Sequence, residues 1–409
     1  MNQKFKKNKN DSFQQQDLPK SILPPIFYLY DSFRKSLEQA IGKKIPKNLE
    51  EIISVDLTPT HVEGDFTFPI FEIAKVLKVD YSKLASDIVK NLKSYKRYIQ
   101  EVKIVNGYIN VTVKSKKFYT YSLRHVLNEN LLREANKSKK IKTVLLITEQ
   151  VKTDTPVNGP VFQFINRLYA LSPYTVKTAS INKEAPIRKT RSFLFRVIKN
   201  RKIRNFGNDV IAIHQSEERY LLLQKQDKSP TQLLSQLTSL STHLKENNPD
   251  IIIFSLNTPS QSIHEFLSVV DPLQIFREKK KPRIVVINDS DIENKINSYH
   301  LKTLKNLQSA IGKILHSKQV FDPKTSIQLQ DSELVVARLI SYAPEIFRRA
   351  LYQASPKVII NYNESCKNSV YELYRSLKGS TLSQKTFSTQ LLLQAISKIL
   401  DTSLSLLER

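Results

Sequence analysis

The 409-residue sequence is poor in small and sulfur-containing residues, which many functional sites require. Cys366 is the only cysteine, so a disulfide or a cysteine zinc site within one chain is excluded. There are seven glycines in the whole chain, and neither GxGxxG nor GxxxxGK[ST] occurs. No apolar run reaches the ~18–20 residues that a membrane-spanning helix needs. These absences count against a glycine-loop nucleotide site and a membrane location, and the lone cysteine fits a reducing, cytoplasmic setting.

Positive charge is abundant: 64 Lys and Arg stand against 38 Asp and Glu, giving a net charge of +26. Such an excess raises the electrostatic potential over the surface and favours polyanionic partners. A basic surface without a partner is the alternative. No helix pattern combines a basic face with a strongly apolar face, so a membrane surface is the less favoured partner. Charge alone therefore predicts nucleic-acid binding.

The first half of the chain predicts a tail and a small α+β domain. Residues 1–22 are predicted to be a disordered basic tail, and residues 23–125 to form the domain. Asp80 is a predicted N-cap for a helix over Tyr81–Leu92, and Asn106-Gly107 is a hairpin turn signal. Alternation along the strand that follows predicts core positions for Ile109, Val111 and Val113 and outward positions for Tyr108, Asn110 and Thr112.

Residues 140–315 alternate between apolar strand patterns and helical patterns. Buried strands separated by helices indicate a parallel sheet covered on both faces. Gln232–Lys245 and Ile263–Val270 are predicted helices of this region. The predicted strands are Thr143–Thr148, Val210–Ile213, Asp250–Leu256 and Arg283–Ile287.

Residues 326–409 are purely helical in pattern and predict a bundle of at least four helices. Pro344 and Ser355-Pro356 are each predicted to begin a new helix, because proline is favoured in a first turn. Gly379 is the predicted C-terminal cap of the helix after Pro356, and Ser388–Leu407 is the last helix.

Several of these segments resemble arginyl-tRNA synthetase, a class I enzyme. Its N-terminal domain is matched by Gly64-Asp65-Phe66, Ile73-Ala74-Lys75 and the hairpin Gly107-Tyr108-Ile109-Asn110. Its DALR-type anticodon-binding bundle is matched by Ala343-Pro344 and Val370–Tyr374. The resemblance covers about residues 60–170 and 330–409. It implies a multidomain α/β protein, in which a degenerate Rossmann-like parallel domain separates the small α+β domain from the C-terminal bundle.

The middle of the chain departs from that family. The family binds ATP with a His-hydrophobic-Gly-His motif after the first strand. Gly159, Pro160 and Arg167 match the surroundings of that motif, but Phe162, Phe164 and Ile165 stand where His, Gly and His are expected. The family's second motif, Lys-Met-Ser-Lys, is missing, since Met1 is the only methionine. The resemblance therefore implies a degenerate nucleotide site, with no catalytic residue and no cofactor. No metal site is predicted, because the seven histidines are scattered without metal-ligand spacing.

Three groups of residues are candidate RNA contacts. In the family, the residues matching Tyr108 and Asn110 recognise a base of the tRNA D-loop; the alternative is an ordinary exposed strand face. The basic run over residues 188–204 suits RNA phosphates, or else is a solvated helix, with Phe193 and Phe195 in the core in either case. Its candidate residues are Arg188, Lys189, Arg191, Arg196, Lys199, Arg201, Lys202 and Arg204, and those of the bundle are Arg348, Arg349 and Tyr374.

The function this implies is non-catalytic binding of tRNA, preferably an arginine-type tRNA. It leaves room for a tRNA-modifying or translation partner protein. A divergent arginine–tRNA ligase is the second hypothesis, and it alone would require ATP. A scaffold protein that binds no RNA is the third.

Overall fold

The computed structural model describes most of the chain as two compact units, which divide between residues 125 and 126. The described residues are 24–46, 49, 52–59, 61–134, 142–149, 160–181, 185–198, 203–207, 209–216, 219–256, 268, 282–288, 298–315, 327, 329–376 and 387–408. The predicted tail, Ile263–Val270 (Ser268 apart) and Gly379 lie outside them. No described helix is both long and apolar enough to cross a membrane.

The first unit is built on a four-stranded antiparallel sheet of order β1-β2-β4-β3. The predicted hairpin turn is confirmed, because Asn106 (φ 49°) and Gly107 (φ 80°) both adopt the left-handed conformation of a tight two-residue turn. Ile109, Val111 and Val113 are fully buried, as their alternation predicts. The strands are β1 (Asp56–Leu57), β2 (Phe66–Pro69), β3 (Ile99–Val105) and β4 (Tyr108–Val113).

Helices pack beside this sheet, and their ends follow local sequence rules. The predicted cap is confirmed: the Asp80 carboxylate accepts a hydrogen bond of 2.8 Å from the backbone N–H of Lys83. The first helix ends at Gly42, whose φ of 65° is the left-handed value that glycine adopts without strain. The helices are α1 (Pro25–Ile41), α2 (Ile70–Leu77), α3 (Tyr81–Leu92) and α4 (Ser115–Asn128).

The second unit contains the predicted parallel sheet, with strand order β11-β10-β5-β6. The chain starts in the middle of the sheet, adds β6 on one side and then adds β10 and β11 on the other. This reversal between β5 and β10 is the switch point at which open α/β sheets bind ligands. Residues 144–147 of β5 are all 0 % exposed, so both faces of the sheet are covered there. The strands are β5 (Lys142–Glu149), β6 (Tyr174–Ile181), β10 (Ile251–Leu256) and β11 (Arg283–Asn288).

One predicted strand belongs to a different sheet. The Val210–Ile213 pattern corresponds to β8 (Ile211–Ser216), which lies in a three-stranded antiparallel sheet with β7 (Ile203–Asn205) and β9 (Arg219–Gln224). Its place in the parallel sheet was a wrong prediction. The connections to its neighbours are too short for a parallel crossover, which takes a dozen residues or more. This small sheet shares an apolar core with α7 (Ile187–Val197), α8 (Gln232–Asn247) and the parallel strands.

The remaining helices of the second unit are longer than predicted. Pro344 does not begin a helix but lies inside α10 (Asp331–Gln353), so residues 331–408 hold three described helices rather than four. An internal proline removes one backbone hydrogen bond and usually kinks a helix. Here its neighbours Ala343, Ile346 and Phe347 are buried, and their packing holds the helix together. The others are α5 (Leu131–Glu134), α6 (Pro160–Ala170), α9 (Ser298–Ile314), α11 (Pro356–Ser376) and α12 (Phe387–Leu407).

The parallel sheet and the helical bundle are joined at the end of α10. The Tyr169 hydroxyl of α6 donates a hydrogen bond to the backbone carbonyl of Leu351. The Arg283 guanidinium, at the start of β11, lies 3.2 Å from the ring centroid of Tyr352. Burial raises the pKa of Tyr169 well above its usual range, so the hydroxyl stays a donor at physiological pH.

Candidate nucleic-acid interface

The hairpin of the first unit separates its two candidate residues. Tyr108 is 47 % exposed, as predicted, whereas Asn110 is 4 % exposed. The Asn110 side chain accepts a 2.7 Å hydrogen bond from the Thr67 hydroxyl and donates one of 3.0 Å to the Glu63 carbonyl. The outward position predicted for Asn110 is therefore wrong, because the loop before Asp65 folds over that face of the sheet. Asn110 fixes this loop instead of facing solvent.

Gly64 is what allows the loop to lie so close. Its φ is +118°, and a Cβ added to it would lie 3.1 Å from the Cβ of Asn110 and 3.4 Å from the Thr58 hydroxyl. An exposed ion pair of 2.5 Å between Lys103 and Glu63 spans from β3 to the loop. The loop can therefore approach Asn110 this closely because the residue at position 64 has no side chain.

Asp65 ties the same turn to the rest of the unit. Its carboxylate accepts a 2.8 Å hydrogen bond from the Val113 backbone N–H and a 2.7 Å hydrogen bond from the Tyr119 hydroxyl. Asp65 is 6 % exposed and Tyr119 is 1 % exposed. The turn, the strand that carries Tyr108 and helix α4 are therefore held together by one buried carboxylate.

Other exposed aromatic residues lie near the turn that carries Tyr108, and the sequence analysis did not identify them as candidates. Phe71 is 61 % exposed and Tyr81 is 43 % exposed, and their ring centroids are 6.2 Å apart. The Phe71 backbone N–H bonds the carbonyl of Gly107, the residue before Tyr108, at 3.3 Å. Aromatic rings at a turn are surfaces on which unpaired bases stack. Helical periodicity could have identified Phe71 as exposed. Ile70, Ile73 and Ala74 form the buried face of α2, and Phe71 lies outside that face.

The described part of the basic run is exposed on α7 and β7. Arg188, Lys189, Arg191, Arg196 and Arg204 are all exposed. Two of them already bond within the protein: Arg196 donates to the Ser241 hydroxyl at 2.7 Å, and Arg204 donates to the Tyr220 hydroxyl at 3.1 Å. The other three candidates, Lys199, Arg201 and Lys202, lie outside the described residues.

The two phenylalanines of α7 differ in their exposure to solvent. Phe193 is 4 % exposed and belongs to the core, as predicted. Phe195 is 74 % exposed, so its predicted core position is wrong. Residues two apart on an α-helix are separated by about 200° and cannot share a face.

The two candidate arginines of the bundle form ion pairs within their own helix. Glu345 has a fully buried side chain, and Arg348 binds its carboxylate through two hydrogen bonds of 2.6 and 2.7 Å. Arg349 adds a third at 2.9 Å. The two guanidinium groups thus compensate one buried carboxylate. Tyr374, on α11, is 48 % exposed, and Tyr371, one turn earlier, is 47 % exposed.

The predicted nucleotide site falls on α6, the helix that follows β5. Phe162, Phe164 and Ile165 are 8 %, 1 % and 0 % exposed, while Arg167 is half-buried. Pro160 begins the helix, and Gly159 lies outside the described residues. A helix N-terminus at such a switch point suits phosphate. The side chains at the three motif positions, Phe162, Phe164 and Ile165, are apolar, however, so these positions supply no hydrogen-bond donor to a triphosphate.

Other chemistry finds little support in the described residues. They contain no cluster of three or more His, Cys, Asp or Glu with metal-site geometry. Burial raises the pKa of the Cys366 thiol to about 12. A buried thiol of this kind is protonated and unreactive at neutral pH.

Comparisons with known proteins agree with this architecture. Residues 31–113 match the family model described as the arginyl tRNA synthetase N terminal domain. The arginine–tRNA ligase of Clostridium kluyveri is 33 % identical over 98 residues, which cover 23 % of this chain and 17 % of the relative. That of Methanocaldococcus jannaschii is 31 % identical over 127 residues, or 31 % of this chain and 21 % of the relative. The sequence match thus spans about a fifth of the length of these curated relatives.

Solved structures extend the likeness in fold over most of the chain. Arginyl-tRNA synthetase of Thermus thermophilus aligns with a TM-score of 0.67 at 11 % identity, covering 93 % of this chain and 98 % of that chain. The Plasmodium falciparum enzyme aligns with a TM-score of 0.67 at 13 % identity, covering 95 % and 98 %. At such identity the likeness concerns the fold alone.

Proposed function

We propose that this chain, an arginyl-tRNA synthetase-like protein, binds tRNA without charging it and prefers arginine-type tRNA. The observation that carries the proposal is the start of α6. There Phe162, Phe164 and Ile165 are buried at the switch point of the parallel sheet, in the positions that the sequence resemblance matches to the family's ATP motif. Apolar side chains in these positions remove phosphate donors and fill space that a nucleotide would need.

The RNA-binding half of the proposal is supported by charge and by the first unit. A net charge of +26 favours a polyanionic partner. The unit that matches the synthetase N-terminal domain presents Tyr108 and Phe71 at one exposed turn. A tRNA-binding protein without chemistry of its own would present the tRNA to a tRNA-modifying or translation partner. The cytoplasm is the proposed place of action.

An ATP–pyrophosphate exchange assay tests the non-catalytic half. The purified protein is expected to show no exchange that depends on arginine, with or without tRNA. An active arginyl-tRNA synthetase assayed in parallel serves as the positive control. Clear arginine-dependent turnover would establish the ligase hypothesis instead.

Titrations of labelled tRNA at several salt concentrations test the binding half. Affinity is expected to fall steeply with added salt, because phosphate contacts release counterions. An arginine-type tRNA is expected to bind more tightly than tRNAs of other types. Failure to bind any tRNA at low salt would favour the scaffold hypothesis.

Tyr108→Ala tests the exposed turn. Loss of one stacked base is expected to weaken tRNA binding by about 1–3 kcal/mol. Ile104→Ala is the matched control, because Ile104 is 42 % exposed on the neighbouring strand but points to the opposite face of the sheet. Equal affinities for the two variants would remove Tyr108 from the interface.

A further inference from the structure

The solvent-facing side of α7 has an unusual composition for a surface helix. Phe195, at 74 % exposed, is the most exposed large apolar side chain of the described residues, and Ile198, the C-cap residue that follows α7, is 36 % exposed. Arg188 and Arg191 are exposed on the same side. We call these four residues, Arg188, Arg191, Phe195 and Ile198, the α7 ridge.

Helix geometry brings the ridge together and turns it away from the core. At about 100° per residue, the four positions fall within an arc of about 80°. The buried residues of α7, among them Phe193, Leu194 and Val197, occupy a separate arc of about 100° and belong to the core shared with α8. Phe195 therefore has no packing role in the described part of the unit, although its exposure has a hydrophobic cost.

The charge of α7 decides which partner suits the ridge. The helix sequence, IRKTRSFLFRV, carries four cations and no acidic residue. Among the described residues, no acidic side chain forms an ion pair with Arg188 or Arg191, whereas Arg196 is tied to Ser241 on α8. In sequence the basic run continues to Arg204. A ring that follows two guanidinium groups along one side of a helix, with no acidic partner for either among the described residues, suits a base and its neighbouring phosphates, since every base has a stacking face.

We propose that the α7 ridge is a second RNA-binding site, which takes an unpaired segment of RNA. Phe195 stacks on a base, while Arg188 and Arg191 contact the neighbouring phosphates. Both arginines lie within about 11 Å of Phe195 along the helix axis, at 1.5 Å of rise per residue. The inference rests on the proposed RNA-binding function and adds to it a site in the second unit that recognises single-stranded RNA.

The complete absence of tryptophan from the chain offers a direct probe of stacking. Phe195→Trp introduces the only tryptophan at the ridge, and Leu222→Trp, at a 41 % exposed position of β9, is the matched control. Addition of a short single-stranded oligouridylate to the full-length protein is expected to quench the fluorescence of Trp at position 195 and to spare that of the control. A duplex of the same length is expected to quench neither. Equal quenching of both, or of neither while the oligonucleotide is bound, would overturn the assignment.

Substitutions at the α7 ridge distinguish three contributions to binding: base stacking, apolar contact and phosphate attraction. Phe195→Ala and Phe195→Leu are both expected to weaken oligouridylate binding by about 5- to 150-fold with an unchanged salt slope, since leucine lacks a π-face. Arg191→Gln is expected to reduce the slope of log affinity against log salt by about 0.7. Wild-type affinity in Phe195→Leu but not in Phe195→Ala would instead indicate an apolar, protein-docking surface and would refute base stacking.

The outcomes distinguish this site from the proposed function. If the wild-type protein binds tRNA and Tyr108→Ala weakens it, while Phe195→Ala binds tRNA and oligouridylate like wild type, the ridge proposal is wrong and the function stands. If the wild-type protein binds neither RNA at low salt, the proposed function itself fails.

Discussion

The hydrogen bond from Tyr119 to the buried carboxylate of Asp65 allows a quantitative test of how much this carboxylate stabilises the first unit. Tyr119→Phe removes only the hydroxyl that donates to this carboxylate at 2.7 Å, and the ring keeps its contact with Phe118 at 5.5 Å. A hydrogen bond to a charged group contributes about 1.5–3 kcal/mol. Because Tyr119 is 1 % exposed, water cannot readily replace the lost donor. The free energy of opening of this unit is therefore expected to fall by about 2 kcal/mol.

Amide hydrogen exchange at Val113 measures this change in the free energy of opening. The Val113 backbone N–H bonds the same carboxylate at 2.8 Å, so its exchange is expected to accelerate about 30-fold, the equivalent of about 2 kcal/mol. Tyr121→Phe is the control, since Tyr121 lies half-buried on the same helix, and a change below about 0.5 kcal/mol is expected there. An exchange rate in Tyr119→Phe equal to that of the control would refute the reasoning.

Three further predictions concern the fold. Gly64→Ala is expected to lower the free energy of unfolding by about 1–3 kcal/mol, because φ is +118° and the new Cβ would crowd Asn110; urea unfolding that matches wild type would contradict this. Glu345→Gln is expected to lower it by about 1–3 kcal/mol, since two partly exposed guanidinium groups lose their buried counter-charge; unchanged stability in the same assay would show the cluster to be neutral. Cys366, whose pKa is raised to about 12 by burial, binds its proton more tightly in the folded than in the unfolded state, so its contribution to stability is complete below about pH 9 and is lost as pH rises toward 12. Native protein at about pH 8 should accordingly resist iodoacetamide until urea is added, and rapid labelling without urea would contradict the burial.

Features with a local cause could be predicted from the sequence. Asp80 caps a helix through its own side chain, and Asn106-Gly107 forms a two-residue turn from its own backbone preferences. The parallel strands β5, β10 and β11 were recognisable as continuous apolar runs. β6 was missed because its exposures alternate irregularly along an edge of the sheet. Such an edge strand carries a weaker apolar pattern than a central one.

Features with a tertiary cause could not be predicted in this way. Pro344 has the local preference of a helix start, and burial of its neighbours overrides that preference. Strand alternation predicts an exposed Asn110, but a loop some 45 residues earlier in the chain covers it and makes that prediction wrong, which no periodicity reveals. Phe195 is a different case, since helix geometry alone places it opposite the core face of α7 once Phe193 is assigned to that face.

The junction at the end of α10 bears on how this protein could be shortened. Leu351 and Tyr352 take one partner from α6 and one from β11, so each belongs to the bundle by sequence and to the sheet by contact. A fragment that kept only residues 329–408 would leave a carbonyl without its tyrosine and a ring without its arginine. The end of α6 and the start of β11 therefore support the end of α10. A chain that needs those helices must keep the sheet even if the sheet performs no reaction.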